Sequence, residues 1–185
     1  TPSYFMEFRK KLDVDKEPVL GIMEDAFDRF EKATGREYNL IETYNLDNSS
    51  KTAILSMGSM CGNIISWMTK NKDIGLIKLR TFRPFPYEQL QEIVEKHGIE
   101  KVIIMEKSDA LNGMLPPFSM SIASALYPLG TLFRSFIVGL GGRDVTRDEL
   151  DIAKRKMEKV KDMKGKLYMY LGVRETKDKI YGVNM

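Results

Sequence analysis

The chain has 185 residues, which suits one domain with one sizeable core, and its net charge of +3 gives no electrostatic reason to expect binding to nucleic acid or to an anionic membrane. Cys61 is the only cysteine, which excludes an internal disulfide and any cysteine-built metal or iron–sulfur site within the chain and indicates a reducing, cytoplasmic environment. His97 is the only histidine, which excludes metal clusters that need several imidazoles. No apolar run has the length needed to cross a bilayer.

Helices and short apolar strands alternate along most of the chain. After a polar lead-in, apolar residues at three- and four-residue steps predict an amphipathic helix over residues 19–33. Strands are predicted, in this order, in "EYNLIETY", "KTAILSM", "IGLIKLR", "KVIIM" and "FRSFIVGL". Helices are predicted between the last four strands, and a basic helix is predicted over residues 147–164. "KGKLYMYLGVRE" is compatible with a last extended segment.

This alternation predicts the class of fold. Short apolar strands separated by helices are typical of a largely parallel sheet whose two faces are both covered. We therefore predict an α/β fold, built as a three-layer α/β/α sandwich.

Four loops with unusual residues follow four of the predicted strands. Gly58 and Ser59 follow the second strand, "TFRPFP" (81–86) the third, "EKSDALNG" (106–113) the fourth and "GLGGRD" (139–144) the fifth. The carboxyl ends of parallel strands meet at one edge of the sheet, where open α/β sheets bind their ligands. Any one of these loops can be a simple turn, but the four together predict a working surface at this edge.

The glycine-rich loop after the fifth strand resembles a phosphate-binding loop only in part. Gly139 and Gly141 fit the dinucleotide fingerprint, but Asp144 stands where its last glycine belongs. Asp144 would also repel a phosphate from the N-terminus of the following helix. Thr146 and Glu149 have the spacing of a capping box, which explains the helix start without a ligand. A nucleotide site is therefore disfavoured.

Docking of another chain is the alternative for this loop. Gly139, Gly141 and Gly142 would allow a chain to come close, because glycine has no side chain and adopts unusual backbone angles. Arg143 and Asp144 would then fix each other or that neighbouring chain.

Arg83 is the most specific feature of "FRPFP". Pro84 and the next proline stiffen the exit from the strand, and the arginine lies between aromatic residues, one of them Phe85. An arginine presented in this way suits a bidentate contact to a carboxylate or phosphate, or a fixed contact across an interface. The alternative is a buried structural arginine paired with a nearby acid such as Glu106.

Several segments resemble, in order, a known family. "TPSYFMEFRKKL", "TGREYNLIETY", "AILSMGSMCG", "IGLIKLRTFRPFP" and "GLGGRDVT" are similar to the alpha subunit of pyruvate:ferredoxin oxidoreductase and of related 2-oxoacid:ferredoxin oxidoreductases. "RPFP" and "GLGGRDVT" are the most specific of these segments. The matching region is the second domain of that subunit, which is similar to the C-terminal domain of transketolase. The resemblance implies a three-layer sandwich around a five-stranded, mainly parallel sheet.

The resemblance also implies a domain organisation and a function. Residues 1–18 would be the lead-in from a preceding thiamine-site domain that is missing here, residues 19–165 the transketolase C-terminal-like domain and residues 166–185 an extension. The whole enzyme would use thiamine diphosphate with magnesium, iron–sulfur clusters and coenzyme A to convert a 2-oxoacid, with pyruvate expected, to an acyl-CoA while reducing ferredoxin. Expected partners are the preceding domain, the beta and iron–sulfur subunits and, for the whole complex, ferredoxin.

Residue by residue, the resemblance assigns no catalytic or cofactor role to this chain. The diphosphate-binding "GDG…N" signature and the cysteines that would ligate clusters are both absent, so no position matches a thiamine or cluster ligand. The positions that match are structural and interface motifs: Gly58 and Ser59, Arg83 to Pro86, and Gly139 to Asp144. In the loop after the fourth strand, Glu106 and Lys107 keep the charges of the family's Asp-Arg, but the glycines have moved.

Two other functions are compatible with the sequence. The chain can be a free-standing, non-catalytic assembly or regulatory module that has the same fold. It can also be a flavodoxin-like small-molecule binder that uses the same strand ends, since one fold hosts many functions.

Overall fold

A six-stranded sheet forms the centre of the computed structural model, which describes residues 2–47 and 50–174. The strands are β1 (Ile41–Tyr44), β2 (Thr52–Met57), β3 (Ile74–Leu79), β4 (Lys101–Glu106), β5 (Leu132–Ile137) and β6 (Tyr168–Tyr170). The helices are α1 (Phe5–Val14), α2 (Val19–Thr34), α3 (Met60–Met68), α4 (Tyr87–Lys96), α5 (Pro117–Leu126) and α6 (Arg147–Glu158). Short 3-10 turns occur at Pro2–Tyr4, Tyr127–Leu129 and Leu140–Gly142.

The strand order is β1-β3-β2-β4-β5-β6, and only β1 runs antiparallel to its neighbour. The predicted α/β class and mainly parallel sheet are confirmed, but the sheet has six strands and not five. The sixth, β6, pairs with Ser135, Phe136 and Ile137 of β5 over three residues. Three residues are too few to show the alternation of apolar and polar side chains that predicts a strand. The place of β6 in the sheet depends on the free edge of β5. The expected extension thus contributes β6 at the sheet edge, and its residues beyond 174 lie outside the described part.

The sheet lies between two layers of helices, and apolar residues on both of its faces hold the three layers together. On one face, Leu55 and Ile104 pack with residues of α4 and α5, and the stripe of α2 joins them at the periphery. On the other face, Ile54, Ile103 and Phe136 pack with residues of α3 and α6. Alternate strand residues therefore enter different cores, which is why the strands read as continuous apolar runs.

The predicted helix over residues 19–33 is α2, and its stripe packs as expected at Leu20, Met23 and Phe27. Phe30 instead stacks on Tyr38, with ring centroids 5.3 Å apart. The predicted lead-in contains a helix, α1, none of whose residues is buried. Within the described residues, no helix combines the length and apolar character that a membrane span requires.

The predicted helix over residues 147–164 is shorter and ends at Glu158. Its start is as expected: Glu149 accepts hydrogen bonds from the backbone N–H of Thr146 and, at 3.0 Å, from its hydroxyl. The capping box is therefore confirmed, and α6 begins without a ligand.

A cluster of charges attaches the antiparallel edge strand. Glu42 of β1 lies opposite Lys78 of β3 and accepts from its ammonium at 2.7 Å. Arg80 donates to the same carboxylate through Nε at 2.7 Å and also through a second nitrogen, and the Tyr44 hydroxyl donates at 3.0 Å. Burial by itself would raise the pKa of Glu42, but these hydrogen bonds outweigh it and lower the pKa below its usual 4.5.

We expect Glu42→Gln to destabilise the fold by about 1–2 kcal/mol at pH 7, because the amide cannot hold both cations. A lowered folded-state pKa gives stability that is complete above the unfolded value of 4.5 and is lost as the pH falls below it. The difference between wild type and variant in urea unfolding should therefore shrink below that pH. Glu24→Gln, on the exposed side of α2, is the control. A difference that stays constant down to low pH would contradict this role.

Candidate functional site

A cleft opens where the chain reverses its winding direction in the sheet. From β2 the chain moves outward to β3, then crosses back to β4 on the other side of β2, so that β2 and β4 are the switch point. The cleft, of about 280 Å³, lies at their carboxyl ends, where ligands of open α/β sheets bind. It is lined by Gly58 and Ser59 after β2, by Glu106 and Lys107 at the end of β4, and by Phe118 of α5. The structure therefore brings together three of the predicted site residues.

Glu106 is the polar centre of this region. Its buried carboxylate accepts from the backbone N–H groups of Phe118, at 3.2 Å, and Ser119, at 3.0 Å, and from the hydroxyls of Ser108 and Ser119. Ser135 of β5 lies 2.8 Å from the Ser119 hydroxyl and extends the network. A carboxylate offers about four acceptor positions, so these four donors saturate it. Glu106 therefore caps α5 and is not an open general base.

Arg83 is exposed, and its proposed pairing with Glu106 is wrong. Its guanidinium lies 3.9 Å from the centre of the Phe82 ring and donates to the Phe82 carbonyl at 2.7 Å and to the Ser121 hydroxyl at 3.2 Å. Glu106 is not available as a partner because the start of α5 already occupies it. The link between Arg83 and the switch-point cleft is indirect, through the Phe82 and Phe118 rings, whose centroids are 5.7 Å apart.

The proline-rich exit from β3 connects directly to a helix. The peptide bond between Arg83 and Pro84 is cis, and Pro86 precedes the first residue of α4. Phe85 packs edge-on against Phe82, with centroids 6.3 Å apart. Arg83 therefore lies over one ring, that of Phe82, on a segment that packing holds in place.

The glycine-rich loop after β5 comes close to the loop after β4 at one of its three glycines, Gly139. Gly139, Gly141 and Gly142 all have positive φ, at 63°, 67° and 81°. A Cβ atom on Gly139 would lie 2.9 Å from the Arg143 carbonyl oxygen and 2.9 Å from Cε of Lys107. A Cβ atom on Gly141 or Gly142 would meet nothing within 4 Å. The close approach thus involves the chain's own Lys107, and the other two glycines face open space.

Arg143 is held by the chain itself. It donates to the carbonyl of Gly172, just beyond β6. Among the described residues no ion pair joins it to Asp144, so the expectation that the two fix each other is wrong; Asp144 is exposed. The reason is that the backbone at Arg143 is extended, and its side chain reaches the neighbouring segment instead.

Sequence reasoning missed the hydroxyl groups around Glu106. Ser119 and Ser135 are fully buried, the first in α5 and the second in β5, where most of the other residues are apolar. A serine within such an apolar run is the signal that a buried polar partner exists nearby. Asp109 and Tyr170 were also missed: their hydrogen bond joins the loop after β4 to β6 and raises the pKa of Tyr170 to about 12.

We expect Gly139→Ala to destabilise the fold by about 2–3 kcal/mol and Gly141→Ala by about 1 kcal/mol. Both variants force an L side chain to positive φ, but only the first also meets a backbone carbonyl and Lys107. Urea unfolding of the two variants measures this difference. Equal costs would show that the Gly139 contact is not restrictive.

We expect Glu106→Gln to destabilise the fold by about 2–3 kcal/mol, because an amide leaves some of the buried donors without an acceptor. Glu88→Gln is the matched control, since the Glu88 carboxylate is also close to a helix N-terminus, as a member of the first turn of α4, but is exposed. Its cost should stay within about 0.5 kcal/mol. Urea unfolding distinguishes them, and a Glu106→Gln variant as stable as wild type would contradict the capping role.

A family profile and individual relatives of known name indicate the same protein family. A sequence profile described as "Pyruvate:ferredoxin oxidoreductase core domain II" matches residues 50–150, more than half of the chain. The chain is 34% identical over 170 residues to the pyruvate synthase subunit PorA of Pyrococcus abyssi, which covers 86% of this chain and 42% of that protein. It is 32% identical over 167 residues to PorA of Methanocaldococcus jannaschii, with coverage of 87% and 42%.

The name of a third relative indicates a different 2-oxoacid. The ketoisovalerate oxidoreductase subunit VorA of Pyrococcus abyssi is 31% identical over 167 residues, covering 86% of this chain and 41% of that protein. The chain spans less than half the length of these three relatives. The resemblance to this family is confirmed, and the chain belongs to the family of the pyruvate:ferredoxin oxidoreductase core domain II.

Proposed function

We propose that this chain is a domain of the alpha subunit of a 2-oxoacid:ferredoxin oxidoreductase that depends on thiamine diphosphate. The observation that carries the proposal is the family match over residues 50–150. Two of the relatives described above, at 34% and 32% identity, are pyruvate synthase subunits, and we therefore take pyruvate as the proposed 2-oxoacid. The whole enzyme would form an acyl-CoA and reduce ferredoxin in the cytoplasm.

The cofactors of such an enzyme do not fit the residues of this chain. An iron–sulfur cluster needs several thiolates, and the chain has one cysteine, Cys61, which is buried. In the described part of the chain, no three His, Cys, Asp or Glu side chains lie close enough together to hold a magnesium ion for thiamine diphosphate. Glu106, the central carboxylate, is saturated by its own chain. The iron–sulfur clusters and the magnesium–thiamine diphosphate group would therefore bind to other parts of the enzyme.

We assign this domain a structural role, with the carboxyl edge of the sheet as its contact surface. Large apolar side chains are exposed there: Leu111 and Met114 after β4 are 85% and 77% exposed, and Met57, Leu140 and Tyr170 lie beside other strand ends. Exposed apolar groups around a polar centre are typical of protein contact surfaces. The preceding domain and the beta and iron–sulfur subunits are the proposed partners.

Helix α1 supports the same proposal. Phe5, Met6 and Phe8 are each more than half exposed, and helix α1 has no buried residue. A helix with several exposed aromatic and apolar residues is stable only when another surface covers it. We propose that the thiamine-site domain of the alpha subunit covers it, with residues 1–18 as the lead-in between the two.

Isolation of the native chain tests this function. Antibody capture from its source should recover an assembly that reduces ferredoxin when pyruvate and coenzyme A are both supplied, and omission of either substrate should abolish the reduction. Recovery of an isolated 185-residue polypeptide without this activity would refute the proposal and favour a free-standing assembly module.

A matched pair of variants tests the contact surface in the same assay. Leu111→Ser combined with Met114→Ser should weaken association with the partner subunits by about tenfold or more, because apolar contacts at an interface core carry much of its affinity. Tyr127→Ser, at the opposite edge of the sheet and 87% exposed, should leave association unchanged. Equal association of both variants would exclude the carboxyl edge as the contact surface.

A further inference from the structure

A second cleft lies between α4 and α5, on the side of the sheet that carries Arg83. It has a volume of about 330 Å³, which is within the range of small-molecule sites. We call it the α4/α5 cleft. Its lining residues are Arg83, Phe85, Tyr87, Gln91, Ser121, Ser124 and Ala125.

Arg83 is the only charged side chain among these lining residues. Stacking on Phe82 and hydrogen bonds to the Phe82 carbonyl and the Ser121 hydroxyl hold its guanidinium in place. These bonds use two of its five N–H donors, and within the described chain the other three have no partner and no carboxylate lies within 4 Å of it. A fixed guanidinium with free donors has already lost the side-chain freedom that anion binding would otherwise cost.

The remainder of the cleft is mainly apolar. Phe85 and Tyr87 contribute aromatic surface and Ala125 a methyl group. The polar groups there are already engaged: Gln91 donates to the Ala125 carbonyl at 2.8 Å and Ser124 to the Met120 carbonyl at 3.0 Å. Tyr87 is the first residue of α4, and its hydroxyl donates at 3.3 Å to Glu88, whose carboxylate offsets the positive end of that helix dipole. Arg83 therefore supplies the positive charge of the cleft.

We propose that the α4/α5 cleft binds an organic anion. A carboxylate or phosphate group pairs with the free donors of Arg83, and an aromatic or aliphatic body packs against Phe85 and Tyr87. The positive charge at one end and the apolar surface beside it select against both inorganic ions and neutral apolar compounds. The anion comes either from a free small molecule or from an acidic side chain of a partner subunit, and the two sources share this chemistry.

Titration of the 15N-labelled chain with phenyl phosphate tests the cleft directly. Saturable changes in the amide resonances of Gln91, Ser121 and Ser124 are expected, and benzyl alcohol, which lacks the charge, should bind at least tenfold more weakly. Arg83→Met should weaken phenyl phosphate binding tenfold or more. Arg83→Lys should lie between the two, because an ammonium keeps the charge but not the planar fork.

Arg143→Met is the matched control, since Arg143 is also an exposed arginine on a strand-end loop but lies outside the cleft. The Arg143→Met variant should bind phenyl phosphate with the affinity of the wild type. Circular dichroism of all three variants verifies that they are folded. Resonance changes that do not saturate, that map outside the cleft, or that persist in Arg83→Met would overturn the proposal.

The assembled enzyme distinguishes the two sources. If phenyl phosphate displaces a partner subunit and Arg83→Met weakens assembly, the anion is an acidic side chain of that subunit. If the assembly still binds phenyl phosphate and Arg83→Met leaves assembly intact, the anion is a free small molecule. The titration needs no partner subunit, so the absence of phenyl phosphate binding would not contradict the proposed oxidoreductase function. Absence of ferredoxin reduction by the captured assembly would likewise not contradict anion binding in the α4/α5 cleft.

Discussion

The buried carboxylate of Glu106 is the interaction on which the geometry of the site depends. It stands at the end of β4 and accepts from the first N–H groups of α5 and from the Ser119 hydroxyl, and Ser135 continues the network into β5. A buried charge is tolerable only when its acceptor positions are filled, and a helix N-terminus needs an acceptor for its free N–H groups. Each requirement satisfies the other, and together they fix α5 relative to the sheet.

The position of α5 in turn determines what surrounds it. Phe118 forms one wall of the switch-point cleft, and Ser121, one turn later, holds the guanidinium of Arg83. One helix therefore connects two clefts of different chemistry. The first has a carboxylate that is fully occupied, and the second has an arginine with free donors. This difference supports our proposal that the switch point, where α/β proteins often bind ligands, serves here as a structural junction.

Strong local patterns were enough to predict much of the fold. The apolar runs of β2 to β5, the stripe of α2 and the capping box of Thr146 and Glu149 each depend on neighbours in sequence, and the structure contains them. Weak local signals were not enough. Three residues are too few for β6 to show a period, so its segment is only compatible with an extended strand. Phe5, Phe8 and Leu12 of α1 have helical spacing, but the charged residues between them and the nearby prolines favour a polar lead-in.

The sequence by itself determined the class of fold, the placement of the unusual loops at one edge of the sheet, and the exclusion of an internal disulfide or a cysteine-built cluster, because each follows from periodicity or from residue counts. Only the tertiary structure decided the partners of the charged residues. Glu106 accepts hydrogen bonds from α5 and does not pair with Arg83, and Arg143 donates to the Gly172 carbonyl and does not pair with Asp144. The physical reason is that long side chains reach whichever acceptor the packing of distant segments brings near, and sequence spacing does not record that distance.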